Sequence, residues 1–282
     1  MLVALLSTAC YAGPSRDQVR RSQAEYESAI GLFHQGHRAA AYQHLQTAIE
    51  LDPDNAEAHF LLGNFFTFRG NAEEAERHFR EALRAHASLG TASRPSLPSE
   101  VKNSLGVLYI HERRLEDAIR ELSASAGDLL NRTPFLAWGN LAWAYLEAQR
   151  ADDALDAARQ AVELQPDFCI GWFRVGQALR AKGNLEEAEA ALGRAVDVED
   201  PTCQANQPAW RLRGEVLALM SRPEEAVEAL ERCVTLGDRT EDGDRCRRLL
   251  DSAATRDPEE SPGEDSAAPP EAQESSRADA SS

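Results

Sequence analysis

Residues 137–168 read AWGNLAWAYLEAQRADDALDAARQAVELQPDF, and this stretch decides the fold. Trp138, Leu141, Ala142 and Tyr145 fall at i, i+3, i+4 and i+7, which is one face of a helix. Gln149-Arg150-Ala151-Asp152 makes a polar turn, with Asp152 a candidate cap for a second helix. Ala154, Ala158 and Ala161 then put small residues where the second helix must press against the first. Pro166 ends it, because the ring removes a donor and biases Gln165 away from the helical region.

The same pattern recurs along the chain. The key small residue of the second helix stands at Ala41, Ala75, Ala118, Ala154, Ala188 and Ala226, with gaps of 34, 43, 36, 34 and 38 residues. Each is preceded by a matching first-helix pair: Ser28-Ala29, Leu62-Gly63, Leu105-Gly106, Leu141-Ala142, Val175-Gly176 and Arg213-Gly214. One helical hairpin could mimic the pattern; six in phase identify a repeat. The spacing resembles the tetratricopeptide repeat, whose period is about 34 residues. The expected fold is all-α: a right-handed α-solenoid of six helix-turn-helix repeats, at about 22–55, 56–89, 99–134, 135–168, 169–202 and 207–238. A Pro/Ser-rich insertion, residues 88–99, reads as a surface loop. Residues 239–254 read as a C-terminal capping helix, and residues 255–282 as an acidic, disordered tail.

Composition narrows the function. The 282 residues carry a formal net charge of −17, which argues against a nucleic-acid partner needing a basic stripe. No run of about 20 apolar residues forms a membrane-spanning helix. The first ten residues, MLVALLSTAC, resemble the end of a bacterial lipoprotein signal, with Cys10 as the lipidated residue and residues 11–21 as a tether. Ser7 and the absence of Lys or Arg before the apolar run depart from that pattern. A start codon placed downstream of the true one explains the missing charges and the short run. A cleaved secretory signal and an ordinary apolar N-terminus are the alternatives. Tyr11, in place of the Asp linked to inner-membrane retention, favours the periplasmic face of the outer membrane.

Cys169, Cys203, Cys233 and Cys246 remain. Adjacent repeats bring the first pair together, and Cys233 faces the helix that carries Cys246. Four cysteines allow three pairings, and reduced cysteines used as small apolar packers are the alternative. No CxxC occurs and no histidine follows His111, so no zinc site is expected. Asp238–Asp244 lacks the third and twelfth ligands of a calcium loop. No nucleophile–base pair, phosphate-binding glycine loop or cofactor motif is present, so neither catalysis, a small-molecule substrate nor a cofactor is expected.

In tetratricopeptide arrays the fifth, ninth and twelfth residues of each first helix face the concave side. The resemblance therefore implies a partner-binding groove of Tyr26, Ile30 and Phe33; Phe60, Asn64 and Thr67; Asn103, Val107 and Ile110; Gly139, Trp143 and Leu146; and Phe173, Gln177 and Arg180. This row is apolar and aromatic, suited to a hydrophobic protein segment. The Lys/Asn/Arg set with which chaperone-tail binders hold a C-terminal carboxylate is missing, since Asn64 has no lysine beside it.

Six repeats, a lipobox-like start, AEAHFLLGNFFTFRGNAEEAERHFREAL and NRTPFLAWGNLAWAYLEAQR together resemble the type IV pilus lipoproteins of the PilF/PilW/Tgl group. That resemblance implies an outer-membrane pilotin whose client is a secretin subunit. A general periplasmic scaffold and a cytoplasmic adaptor are the competing readings.

Overall fold

The computed structural model describes residues 13–89 and 94–254. Helices come in six antiparallel pairs. The first three are α1 (Arg16–His34) with α2 (Arg38–Leu51), α3 (Ala56–Phe68) with α4 (Ala72–Leu89), and α5 (Leu97–His111) with α6 (Leu115–Ala126). Then follow α7 (Pro134–Glu147) with α8 (Ala151–Leu164), and α9 (Cys169–Ala181) with α10 (Leu185–Asp197). A one-turn α11 (Pro201–Gln204) leads into the sixth pair, α12 (Gln207–Leu219) with α13 (Pro223–Leu236). The last helix, α14 (Glu241–Ala254), lies against both members of that pair.

Each pair is closed by the same backbone device. The residue five before the key alanine is left-handed in all six repeats: Gly36, Gly70, Arg113, Gln149, Gly183 and Ser221, with φ between 57° and 82°. Reversing the chain there lets the next amide bond back five residues, as His37 N does to Leu32 O and Arg222 N to Leu217 O, which satisfies carbonyls left open at the helix end. The first helix then meets the second through a small residue. A Cβ on Gly63 would stand 2.5 Å from the Phe79 ring, and one on Gly106 2.3 Å from Leu122 Cγ. In the fourth repeat Ala142 and Ala158, both fully buried, replace the glycine and the large residue.

Consecutive first helices touch: α3 with α5, α5 with α7, α7 with α9, α9 with α12 and α12 with α14. Consecutive second helices make at most marginal contact with one another. The first helices therefore form the inner side of a curved solenoid. One apolar core runs from α3 to α12, a separate cluster joins the first repeat to α3, and small clusters fill the C-terminal end.

Three expectations need correction. The tether over residues 11–21 is cut short, because Ser15 and Gln18 form a capping box that starts α1 at Arg16. The insertion at 88–99 is not all surface loop: α4 runs to Leu89, α5 begins at Leu97, and Ser96, Leu97 and Ser99 are buried. Leu97 joins the main core, and Ser99 donates to Asp128. Ile110 and Phe173, counted to the groove, are 2% and 7% exposed and belong to the core. Cys10 and residues 255–282 lie outside the described residues.

The structure joins Cys169 to Cys203 and Cys233 to Cys246, with Cα–Cα distances of 5.7 and 6.3 Å. The first bond ties α9 to α11, and the second rivets α14 to α13. No helix among the described residues is long and apolar enough to cross a membrane.

Candidate protein-binding face

The inner side changes character along its length. At the N-terminal end Tyr26 and Phe33 rest half-buried on the first cluster, and Ile30 lies half-buried beside them. Phe33 meets Phe65 edge-on at 6.4 Å, while Tyr42 from α2 stacks on Phe65 at 4.8 Å. Much of this aromatic surface is therefore spent on packing between repeats. Thr67 is also occupied locally, donating to Gly63 O at 3.0 Å.

Further along, Phe60, Asn103 and Leu136 border a hollow of about 410 Å³ that also includes Arg94 and Arg132. Asn140 on α7 donates to Asn103 on α5 at 3.0 Å, so these side chains bridge neighbouring repeats. Asn64 and Val107 are half-buried on the same side.

The third zone is built around Trp143, on α7. Its indole Nε1 donates to Glu147 Oε1 at 3.1 Å, and His111 meets the ring edge-on at 5.2 Å. The Arg174 guanidinium lies over Trp143 at 5.0 Å and over Phe173 at 5.4 Å. Arg174 Nη1 donates to Gln177 Oε1 at 2.7 Å, but its buried Nε finds no partner among the described residues. Burial pulls the Arg174 guanidinium down to about 10, with only the Glu147 carboxylate acting in the other direction. Leu146 packs half-buried beside Trp143 against the main core, and Gly139 is held under the Phe168 ring.

Arg180 is exposed, 3.2 Å from Glu215. That carboxylate also meets Arg211 at 2.6 Å and Arg245 at 3.2 Å, which ties α9, α12 and α14 together. The last groove position thus serves the scaffold.

Counting fifth, ninth and twelfth residues missed Asn140 and Arg174, both sixth in their repeats. The sixth residue looks toward the preceding first helix as well as the open side. A lone arginine inside CIGWFRVGQAL was the available signal. Among the described residues no group of three or more His, Cys, Asp or Glu is placed to hold a metal ion.

Models of the tetratricopeptide repeat match residues 32–89 in one form and residues 68–128, 140–202 and 173–239 in another. The chain belongs to the tetratricopeptide repeat family. Proteins of this family are binding scaffolds, in which stacked hairpins present an extended concave surface. The type IV pilus assembly protein PilF of Pseudomonas aeruginosa is 24% identical over 158 residues, 55% of this chain and 58% of that protein. A STIP1 homologue of Dictyostelium discoideum is 33% identical over 75 residues, 27% of this chain and 13% of that protein. The matches thus span a little over half of one relative and a small part of the other. The solved structure of Pseudomonas aeruginosa PilF superposes with a TM-score of 0.67 at 17% identity, covering 83% of this chain and all of that one. PilW, described as a widely conserved type IV pilus biogenesis factor, gives 0.68 at 16% identity, over 79% and 97%. The tetratricopeptide array here is therefore similar in fold to both pilus proteins over almost their full solved length.

Proposed function

We propose that this chain is a non-catalytic, lipid-anchored scaffold for type IV pilus biogenesis, acting as a pilotin for an outer-membrane secretin. The observation that carries the reading is the inner face, where Phe60, Val107, Trp143 and Leu146 line the array without being fully buried. The likeness to PilF and PilW supports the cellular setting. On this reading acyl chains on Cys10 hold the protein to the membrane, each buried methylene contributing about 0.8 kcal/mol. The inner face then shields an apolar stretch of an unassembled secretin subunit until neighbouring subunits cover it. Binding and release are the whole of the mechanism.

Fractionation of native-host cells tests it, comparing wild type with Cys10→Ala and blotting for the secretin multimer. Loss of both outer-membrane attachment and multimer is the expected result. A protein that stays soluble in both strains, beside a normally assembled secretin, overturns both the anchor and the pilotin role. Trp143→Glu and Phe60→Glu, in a protein that remains folded, are expected to abolish secretin assembly with the anchor intact.

A further inference from the structure

On the inner face, charge and surroundings disagree at Arg174. It sits on α9 between two aromatic rings, with a single side-chain hydrogen bond to a neutral amide and a buried Nε left without a partner among the described residues. The nearby Glu147 carboxylate on α7 is already committed: Arg113, in the turn after α5, pairs with one of its oxygens and Trp143 Nε1 donates to the other. A guanidinium drawn out of water without an anion is costly, and a carboxylate brought to it gains a charge-assisted hydrogen bond in the same low-dielectric setting. Its contacts within the scaffold are the Gln177 amide and the faces of Trp143 and Phe173, none of them an anion. The equivalent residue one repeat earlier is Asn140, which pairs across to Asn103.

Given the reading of the inner face as the client-binding surface, we infer that Arg174 is an anion subsite within it. The segment it takes is an apolar stretch of protein carrying one Asp or Glu side chain. The apolar residues cover Trp143, Leu146 and Val107, and the carboxylate reaches Arg174 at Nη2, the terminal nitrogen that Gln177 does not engage. The subsite differs from a clamp for a chain terminus, which surrounds the carboxylate with several cations; here a single arginine is set among aromatic rings. Arg94 and Arg132 line the separate hollow nearer Phe60. The chain's own residues 255–282 are acidic but contain no large apolar side chain, so they match the charge of the subsite and not its walls.

The test is selection of random peptides of about twelve residues, long enough to cross two repeats. Displayed peptides are selected against the full chain, against Arg174→Met and against Trp143→Glu, each checked by thermal melting. The expected outcome is an apolar consensus from wild type with an acidic residue at one fixed place. Arg174→Met should keep the apolar consensus and lose the acidic residue. A Glu→Gln change in the selected peptide should weaken binding to wild type about ten-fold and leave binding to Arg174→Met unchanged. An apolar consensus without an acidic residue, dependent on Trp143, overturns the subsite and leaves the client-binding face standing. Acid-rich peptides without apolar residues overturn it too, and point to residues 255–282 as the occupant. Peptides that bind Trp143→Glu as well as wild type, or no enrichment at all, overturn the subsite together with the face it rests on.

Discussion

The imidazoles of His59 and His78 meet Nδ1 to Nδ1 at 3.0 Å in the buried space between α3 and α4. His59 Nε2 lies 3.1 Å from Pro53 O, and His78 Nε2 lies 3.1 Å from Arg77 Nη2. One proton arrangement satisfies all three contacts: Arg77 donates to His78, His78 to His59, and His59 to the carbonyl. It requires both rings to be neutral, since a further proton on either sets two donors against each other.

Acid should therefore loosen the second repeat. Burial is the largest cause holding both rings below the usual imidazole range, with Arg77 adding to it, and His78 is lowered to about 4. The folded state thus refuses protons that the unfolded chain accepts. Its stabilising contribution is complete above about pH 6.5 and is lost as pH falls through that value toward about 4, on the order of 2 kcal/mol. Urea midpoints from about pH 7.5 to about pH 5 read this window before most carboxylates titrate. His78→Gln is expected to flatten the slope, and an equal slope in that variant would remove the pair as its cause.

Ser221 occupies a left-handed turn position, at φ 57°, where three other repeats place glycine. A Cβ in that region costs roughly 1 kcal/mol. Ser221→Gly is expected to raise stability by about that amount, read as an increase in melting temperature, because no side-chain contact is lost in exchange.

The reverse holds inside the repeat. A Cβ on Gly176 would lie 2.6 Å from Leu192 Cγ, and Leu192 is fully buried. Gly176→Ala should lower stability by about 1–3 kcal/mol through overpacking, despite the gain in helix propensity. Pairing it with Leu192→Ala copies the Ala142–Ala158 arrangement of the fourth repeat and should relieve the clash. Double-mutant melting checks whether the two changes couple.

Reduction should act on one end of the array. Opening the Cys233–Cys246 bond leaves α14 held by a small cluster of Leu230, Trp210, Val234, Leu249 and Leu250 and by the Arg245–Glu215 and Arg211–Asp242 ion pairs. A loop of this length is worth about 3 kcal/mol. Hydrogen exchange is expected to show α14 losing protection in reductant while α3–α8 keep theirs; uniform loss would mean that the repeats do not melt separately.

Arg174→Met is expected to leave melting unchanged or to raise it by about 1–2 kcal/mol, since an apolar side chain of similar reach replaces an uncompensated cation. A large loss would mean that the guanidinium holds the repeats together.

The repeat itself was legible because the constraint is local. The small residue at Ala41 through Ala226 and the Gly or Ala facing it are fixed by the distance between two helices of one hairpin, so they recur at the same spacing. What each first helix does with its inner side was harder to read. Ile110 and Leu146 hold the same place in their repeats, yet one is buried and the other half-buried, because the neighbouring hairpin decides how much of that face stays open. The sixth-position residues Asn140 and Arg174 were missed for the same reason. The start of α1 could have been found, since Ser15 and Gln18 carry the S-x-x-Q signature of a helix beginning.

Among the described residues the covalent rivets lie at one end. Both disulfides and the Glu215 arginine cluster fall between α9 and α14, whereas the first repeat meets the rest through a small cluster of its own. Mechanically this makes the solenoid a spring of graded stiffness: pulled or heated, it is expected to yield from the N-terminal coil first, with the cross-linked coils keeping their shape as a rigid grip.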